Sequence, residues 1–167
     1  MRNKQKGFSL IELLIVVAII LIIAAIAIPN LIRSKMAANE ASAVATLRTI
    51  NTSQVVYAST YTATPVFGTL AFLGSGGSNG ANCTPAALSA VPPTSTDACL
   101  IDSAIENAGT VAKSGYLLAV TPAGGSYTAT NAPQTPNSSG VRYFFTDETL
   151  VIRANAGAAA TPSSPAI

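Results

Sequence analysis

Hydrophobic and polar positions divide the chain into an apolar N-terminal stretch and a mixed remainder. Residues 8–28 are apolar apart from Ser9 and Glu12, and Glu12 is their only charged side chain. A helix of this length, at about 1.5 Å rise per residue, just crosses a bilayer core of roughly 30 Å. A charged group inside such a segment costs about 2.5–3.5 kcal/mol, so Glu12 needs a partner.

The helical pattern continues beyond Pro29. Because proline lacks the N–H that would bond the carbonyl of Ala25, we expect the helix to bend or open there. Residues 30–61 contain no glycine or proline, and from Val44 onwards the larger apolar side chains recur at roughly helical spacing. We therefore predict a long helix over residues 8–61, whose amphipathic second half packs on its own domain.

The charged side chains of that second half are expected on the face of the helix that does not pack. The apolar positions are Leu31, Ile32, Met36, Val44, Leu47, Ile50, Val55 and Val56, and the charged ones are Arg33, Lys35, Glu40 and Arg48. A helix packed on one face keeps its charges on the other, so we expect these four charges to lie away from the packed stripe.

The segment 62–155 predicts a small globular domain built on an antiparallel sheet. Strands are predicted at 116–120, 126–130, 141–146 and 149–153, one short helix over 97–107, and loops at 74–80 and 131–140. The two-residue link Asp147-Glu148 makes the last two strands a candidate hairpin. The fold class is thus α+β, with the long helix covering the sheet, and the Ala/Pro/Ser-rich tail, 156–167, is expected to be mobile.

Composition narrows the classes of function. Only 10% of residues are charged, against about 25% in a typical soluble protein, so the exterior is mostly uncharged and polar. The net charge of +2 depends on Arg2, Lys4 and Lys6, without which nine bases fall to six against seven acids. There is no basic patch, and we expect no nucleic-acid partner.

The residue types needed for most enzymatic chemistry are absent. The chain has no histidine, which removes the usual triads and His–metal sites, and two cysteines are too few for a closed zinc site. Asp147 and Glu148 are adjacent acids, but a solvated turn explains them better than calcium, since too few oxygen ligands are identifiable. We predict no enzyme, no metal and no cofactor.

Cys83 and Cys99 are the only cysteines. An even number of cysteines behind a membrane-targeting N-terminus favours a disulfide formed in an oxidising compartment. The alternative is a pair of buried free thiols.

Three interpretations of the N-terminus compete. A cleavable secretory signal would use Ala25-Ile26-Ala27 as its cleavage site, but the apolar run exceeds the usual length of about 7–15 residues. A plain membrane anchor leaves Glu12 without a role. Cleavage between Gly7 and Phe8 would create a positive α-amino group at a helix start, with Glu12 four residues on and on the same face. That carboxylate could neutralise its own N-terminus or set the register with a neighbouring chain.

The residues Gly7-Phe8-Ser9-Leu10-Ile11-Glu12, followed by an apolar helix and Pro29, closely resemble the leader and first helix of type IV pilins and their pseudopilin relatives. The resemblance implies that a prepilin peptidase removes leader 1–7, cutting after Gly7 and methylating Phe8. It also implies that Glu12 engages the N-terminus during assembly and that 8–29 is the membrane and assembly helix. It fades beyond the first helix, and Leu21 stands where the family often carries a helix-loosening glycine.

The resulting hypothesis is a structural subunit of a type IV pilus, a helical homopolymer serving adhesion, motility or DNA uptake. Such a subunit would sit in the inner membrane with its N-terminus cytoplasmic, contact the inner-membrane assembly machinery, and end in an extracellular filament. The alternatives are a major pseudopilin of a type II secretion system and, from another class, a membrane-tethered adhesin or binding module.

Overall fold

A computed structural model describes residues 8–61, 66–76, 83, 84 and 92–167. The chain separates into two compact units, Met1–Lys35 and Met36–Ile167. The helices are α1 (Leu10–Thr60), α2 (Leu70–Leu73) and α3 (Ser103–Glu106), with a 3-10 turn at Asn107–Gly109, and the strands are β1 (Tyr116–Ala123), β2 (Ser126–Pro133), β3 (Arg142–Asp147) and β4 (Arg153–Ala156). The strands pair antiparallel in chain order, which confirms the predicted α+β fold.

In the first unit α1 stands uncovered. Every residue from 8 to 35 is exposed except the half-buried Ala24. The helix stays α-helical through Pro29, so the predicted opening is absent. Proline removes one hydrogen bond of the ladder, and the bonds on either side are enough to keep the helix formed. A kink at Pro29 stays a prediction.

In the second unit the core forms between α1 and one face of the sheet. Its centre consists of Leu47 and Ile50 of α1, Leu118 of β1, Tyr127 of β2 and Phe144 of β3. The strand residues of this cluster lie on the face that the helix covers, as the two-residue period of a strand requires.

The packed stripe of α1 differs from the predicted one beyond Ile50. Val55 and Val56, expected to pack, are 49% and 39% exposed, whereas Gln54 and Tyr57 are buried. The helical period puts the buried side chains of Gln54 and Tyr57 on the packed face of α1. A pattern that counts only apolar residues misses a position whose side chain packs by hydrogen bonding.

Two buried amides attach α1 to the rest of this unit. The side-chain amide of Asn51 donates to the hydroxyl of Thr146 at 3.0 Å and to the carbonyl of Leu150 at 3.1 Å, and its oxygen accepts from the hydroxyl of Tyr127 at 2.9 Å. The Gln54 amide pairs with the carbonyl and the N–H of Gly68 at 2.7 and 2.9 Å. Both amides are therefore satisfied, as buried polar groups must be.

Glu40 corrects another expectation, since it faces the sheet and is only 8% exposed. Its carboxylate accepts from the backbone N–H groups of Val141 and Arg142 at 2.9 and 3.1 Å, and from the Arg142 guanidinium at 2.7 Å. Burial alone would raise the pKa of this carboxyl, but the donors and the positive charge together hold it below its ordinary value of 4.5. The charge is tolerated at the packed face because it is paired there.

The first two strands are longer than predicted. β1 continues through Pro122 and Ala123, where the pattern predicted a stop, and β2 continues to Pro133, which was expected to be loop. Pro122 pairs opposite Tyr127 on a strand at the edge of the sheet. A missing N–H is tolerated on an edge strand, so proline does not end it.

β3 and β4 form the predicted antiparallel hairpin, but its two-residue link across Asp147-Glu148 is wrong. β4 begins at Arg153, not at residue 149, so a longer link, 148–152, joins it to β3. Leu150 in this link adopts φ +64°, and its carbonyl accepts from the side chain of Asn51. The contact with α1 thus holds the link in a conformation that a local strand pattern does not foresee.

The tail, expected to be mobile, is hydrogen-bonded back onto β4. The N–H of Ala154 donates to the carbonyl of Pro165 at 2.9 Å, and the N–H of Ile167 donates to that of Ile152 at 3.0 Å. Ala160 and Ser164 are buried. An edge strand presents unpaired N–H and C=O groups, and here the tail satisfies some of them.

The structure describes only part of the segment between α2 and α3. The predicted disulfide joins Cys83 and Cys99, with their Cα atoms 5.4 Å apart. The predicted helix is shorter than 97–107, because Asp102 caps α3 by accepting from the N–H of Ile105 at 2.8 Å. Of the predicted loop 74–80, residues 74–76 form a turn and the others lie outside the described residues.

We predict that Asn51→Ala lowers the free energy of unfolding by about 1–3 kcal/mol, since it leaves buried hydroxyls without their partner. Denaturant unfolding of the full chain in mild detergent measures this. Thr52→Ala, at the exposed neighbouring position, should change stability by less than about 0.5 kcal/mol. Equal effects of the two substitutions would contradict the role of the Asn51 amide.

We predict that Glu40→Gln removes a pH-dependent part of the stability. A carboxyl whose pKa is lowered by folding stabilises the fold above its ordinary pKa of 4.5, and this contribution is lost as the pH falls through the folded value. The variant should therefore be less stable at pH 7 and approach the parent protein on acidification. Thermal unfolding at several pH values tests this, with the exposed Glu148→Gln as control; a stability difference independent of pH would speak against it.

Candidate assembly surface

The first half of α1 presents a large apolar surface. Leu10, Ile20, Ile26 and Leu31 are each more than half exposed, and further large apolar side chains lie on every side of the helix. Soluble proteins rarely expose apolar patches of more than a few hundred Å². A helix that is apolar all round belongs in a membrane or inside an assembly. In the part of the chain that is described, α1 alone is long and apolar enough to cross a membrane, judged by length and composition.

Glu12 lies at the start of this surface and caps the helix. Because α1 begins at Leu10, Ser9 occupies the N-cap position and Glu12 the third helical position. The N–H of Ser9 donates to Oε2 of Glu12 at 2.9 Å. This bond is the return half of a capping box, in which the acid satisfies an N–H that the helix leaves free. Ser9 was not singled out above, although the Ser-x-x-Glu spacing is the signal for it.

The cap orients the Glu12 carboxylate without using all of it. Its second oxygen, Oε1, accepts no hydrogen bond from the described residues, and the side chain is exposed. Phe8 is 82% exposed. Gly7, the other residue of the expected cleavage site, lies outside the described residues. One carboxylate oxygen thus holds the helix start while the other can accept from a cation.

The remaining predicted site residues lie elsewhere. Pro29 is exposed within α1, and the Cys83–Cys99 disulfide belongs to the second unit. Asp147 accepts from the N–H of Thr149 at 3.0 Å, as in an ordinary acidic turn. Over the described residues, no group of three or more His, Cys, Asp or Glu side chains is placed to hold a metal ion.

Among the described side chains, two buried tyrosines have the most strongly raised pKa values. Burial raises the pKa of Tyr116 and of Tyr127 to about 12. Their hydroxyls donate to the carbonyl of Arg142 at 2.8 Å and to the amide oxygen of Asn51 at 2.9 Å. Both are neutral donors that hold the fold.

Comparison with known proteins bears on the N-terminal part. The family model described as "Prokaryotic N-terminal methylation motif" matches residues 2–28. This part of the chain therefore carries a prokaryotic N-terminal methylation motif. No solved structure matches.

Two curated relatives are pilins. The chain is 62% identical over 40 residues to the type IV wide pilus major component PilA4 of Thermus thermophilus, covering 24% of this chain and 30% of that protein. It is 49% identical over 51 residues to the type IV major pilin protein PilA of Myxococcus xanthus, covering 30% of this chain and 23% of that protein. The similarity therefore spans less than a third of either relative.

Proposed function

We propose that this chain is a structural subunit of a type IV pilus that polymerises through the first half of α1 into a cell-surface filament. The observation that carries the proposal is the uncovered apolar surface of residues 8–32, with the partly used carboxylate of Glu12 at its start. The pilin relatives support the same class of function. Adhesion, motility or DNA uptake would be the task of the filament.

The proposal assigns a role to each part of the chain. Leader 1–7 is removed by a prepilin peptidase that methylates Phe8, and 8–29 spans the inner membrane before assembly. The bases of the leader keep the N-terminus cytoplasmic. Residues 30–61 attach the domain 62–155 on the other side of the membrane, where an oxidising compartment suits the Cys83–Cys99 disulfide. The inner-membrane pilus machinery then moves the subunit into the filament.

Assembly exchanges one apolar environment for another. Lipid tails are as apolar as leucine side chains, so the hydrophobic effect favours neither lipid nor a bundle of neighbouring helices. Packing and polar contacts must therefore drive and align the copies. We assign this alignment to Glu12, whose carboxylate would pair with the Phe8 ammonium of a neighbouring subunit.

The same reasoning explains why a single charge can set the register. An apolar helix can slide along its neighbours with little change in packing chemistry. A slip of one turn, about 5.4 Å, would separate Glu12 from its cation and leave both charges unpaired in a medium of low polarity. The penalty is several kcal/mol per ion, far more than a slip would otherwise cost.

The edges of the described sheet favour assembly through the helix over strand pairing. β4 is covered by the tail, and β1 carries Pro122, which has no N–H to offer a partner strand. Blocked edges of this kind prevent sheets from joining edge to edge.

A major pseudopilin of a type II secretion system would share this anchor, and an adhesin or binding module would remain a monomer.

We predict that Glu12→Ala inserts into the membrane normally but does not enter filaments. Removing the acid deletes the interchain ion pair while leaving the apolar length unchanged. The measurement is the amount of subunit in sheared extracellular filaments relative to the membrane fraction, with Glu148→Ala as a control that removes an exposed acid from the domain. Filaments of Glu12→Ala at the parental level would refute the interchain role.

We predict that the mature N-terminus is N-methylated Phe8. Mass spectrometry of the purified subunit tests this, and Gly7→Leu should leave the leader attached because the peptidase can no longer cut. A mature chain beginning at Met1 would favour a plain anchor, and one beginning at Ile28 a secretory signal. If cells without this protein fail to secrete other proteins, and the protein itself forms no extracellular filaments, the pseudopilin is the better interpretation.

A further inference from the structure

Two cations follow the apolar half of α1. Arg33 and Lys35 are exposed, and no hydrogen bond or ion pair joins either to a described residue. The nearest acids along the chain are Glu12 and Glu40. Glu40 is engaged by the Arg142 guanidinium at 2.7 Å. These two cations are therefore available to bind a group from outside the described chain.

Their distance from the apolar segment indicates where that partner lies. If residues 8–28 fill the hydrocarbon core, Arg33 and Lys35 lie about 7–11 Å beyond Ile28 along the helix axis, at about 1.5 Å per residue. The polar layer of a bilayer occupies this zone, and long basic side chains can bend back to reach it.

We propose that Arg33 and Lys35 bind the phosphate groups of anionic phospholipids in the leaflet on the domain side and hold the subunit at a fixed depth before assembly. The inference rests on the proposed function, because it requires the helix to reside in a membrane. A guanidinium can bind two phosphate oxygens at once, whereas an ammonium acts as a point charge.

The two cations must bind different lipids. Residues two positions apart lie about 200° apart around a helix, so Arg33 and Lys35 point to nearly opposite sides. They bind headgroups on both sides of the helix and do not form one pocket. Such a pair resists both tilting and sliding of the helix.

The charges of the rest of the chain make this pair stand out. Residues 36–167 contain four bases and six acids, so the domain as a whole is repelled by an anionic surface. Removal of leader 1–7 would also remove Arg2, Lys4 and Lys6. After that cut, the positive charge left on the other side is the α-amino group of Phe8, which Glu12 can neutralise, and Arg33 and Lys35 are the basic side chains next to the apolar segment that can attract anionic lipid.

An acid on a neighbouring copy is the less favoured partner. Within residues 8–35 the sole acid is Glu12, which lies more than 20 positions from Arg33, about 30 Å along a helix. A lipid phosphate, by contrast, is present at the right depth around every subunit in the membrane.

The absence of tryptophan allows a direct test. Ile32→Trp places a fluorophore next to Arg33 in the full chain, reconstituted in vesicles of phosphatidylcholine with phosphatidylglycerol. Either lipid is supplied with a nitroxide spin label at the headgroup end of its acyl chain, which quenches a nearby tryptophan. We expect a preference for phosphatidylglycerol of about fivefold for each cation, lost in about 1 M salt.

Variants decide the assignment. With the Ile32→Trp reporter present, the double variant Arg33→Gln/Lys35→Gln should show no preference, and the matched control Arg48→Gln, an exposed cation further along α1, should retain it. An unchanged preference in the double variant overturns the proposal. If that variant also no longer enters filaments, the two cations contact another copy of the chain and not lipid.

Membrane insertion separates this inference from the proposed function. Alkaline carbonate leaves an inserted helix in the membrane and releases a peripheral one. A chain that inserts without preferring anionic lipid overturns only the lipid assignment, whereas a chain released by carbonate overturns the pilus subunit as well.

Discussion

The structure depends on one constraint: the apolar side chains of the first half of α1 must be kept from water, and among the described residues they are exposed. The surface is apolar all round, so no rotation of the helix against a single partner would hide it. A bilayer or a bundle of copies can surround it completely. Within residues 8–35 the only polar signals are at the two ends, so position along the helix axis is decided by those few groups.

The second half of α1 follows different physics in the same helix. Leu47 and Ile50 supply an apolar contact with the sheet, and Glu40, Asn51 and Gln54 add paired polar contacts. Hydrogen bonds are directional, so these three groups determine where along the sheet the helix lies. The first half of the helix can thus exchange partners while the second keeps its domain attached.

In the proposed function, the few charges near the apolar segment act in two states, the membrane-bound subunit and the filament. Glu12, whose carboxylate accepts from the N–H of Ser9, is costly in lipid and would gain a partner when the cation of a neighbouring subunit arrives. Arg33 and Lys35 suit the headgroup layer and are satisfied before assembly. On this proposal, a subunit that enters a filament would exchange one set of ionic contacts for another, while apolar burial would stay nearly constant.

The sequence by itself determined the long helix, the α+β class, the disulfide partners and the membrane-length segment with Glu12 at its start, because each rests on composition or a local period. Only the tertiary structure decided the burial of Glu40, the network around Asn51, the late start of β4 and the pairing of the tail. The first three depend on contacts between residues far apart in the chain, as Asn51 and Thr146 are, 95 positions apart, and the tail pairing depends on β4 lying at the edge of the sheet. A polar residue looks exposed in a sequence until the fold supplies its distant partner.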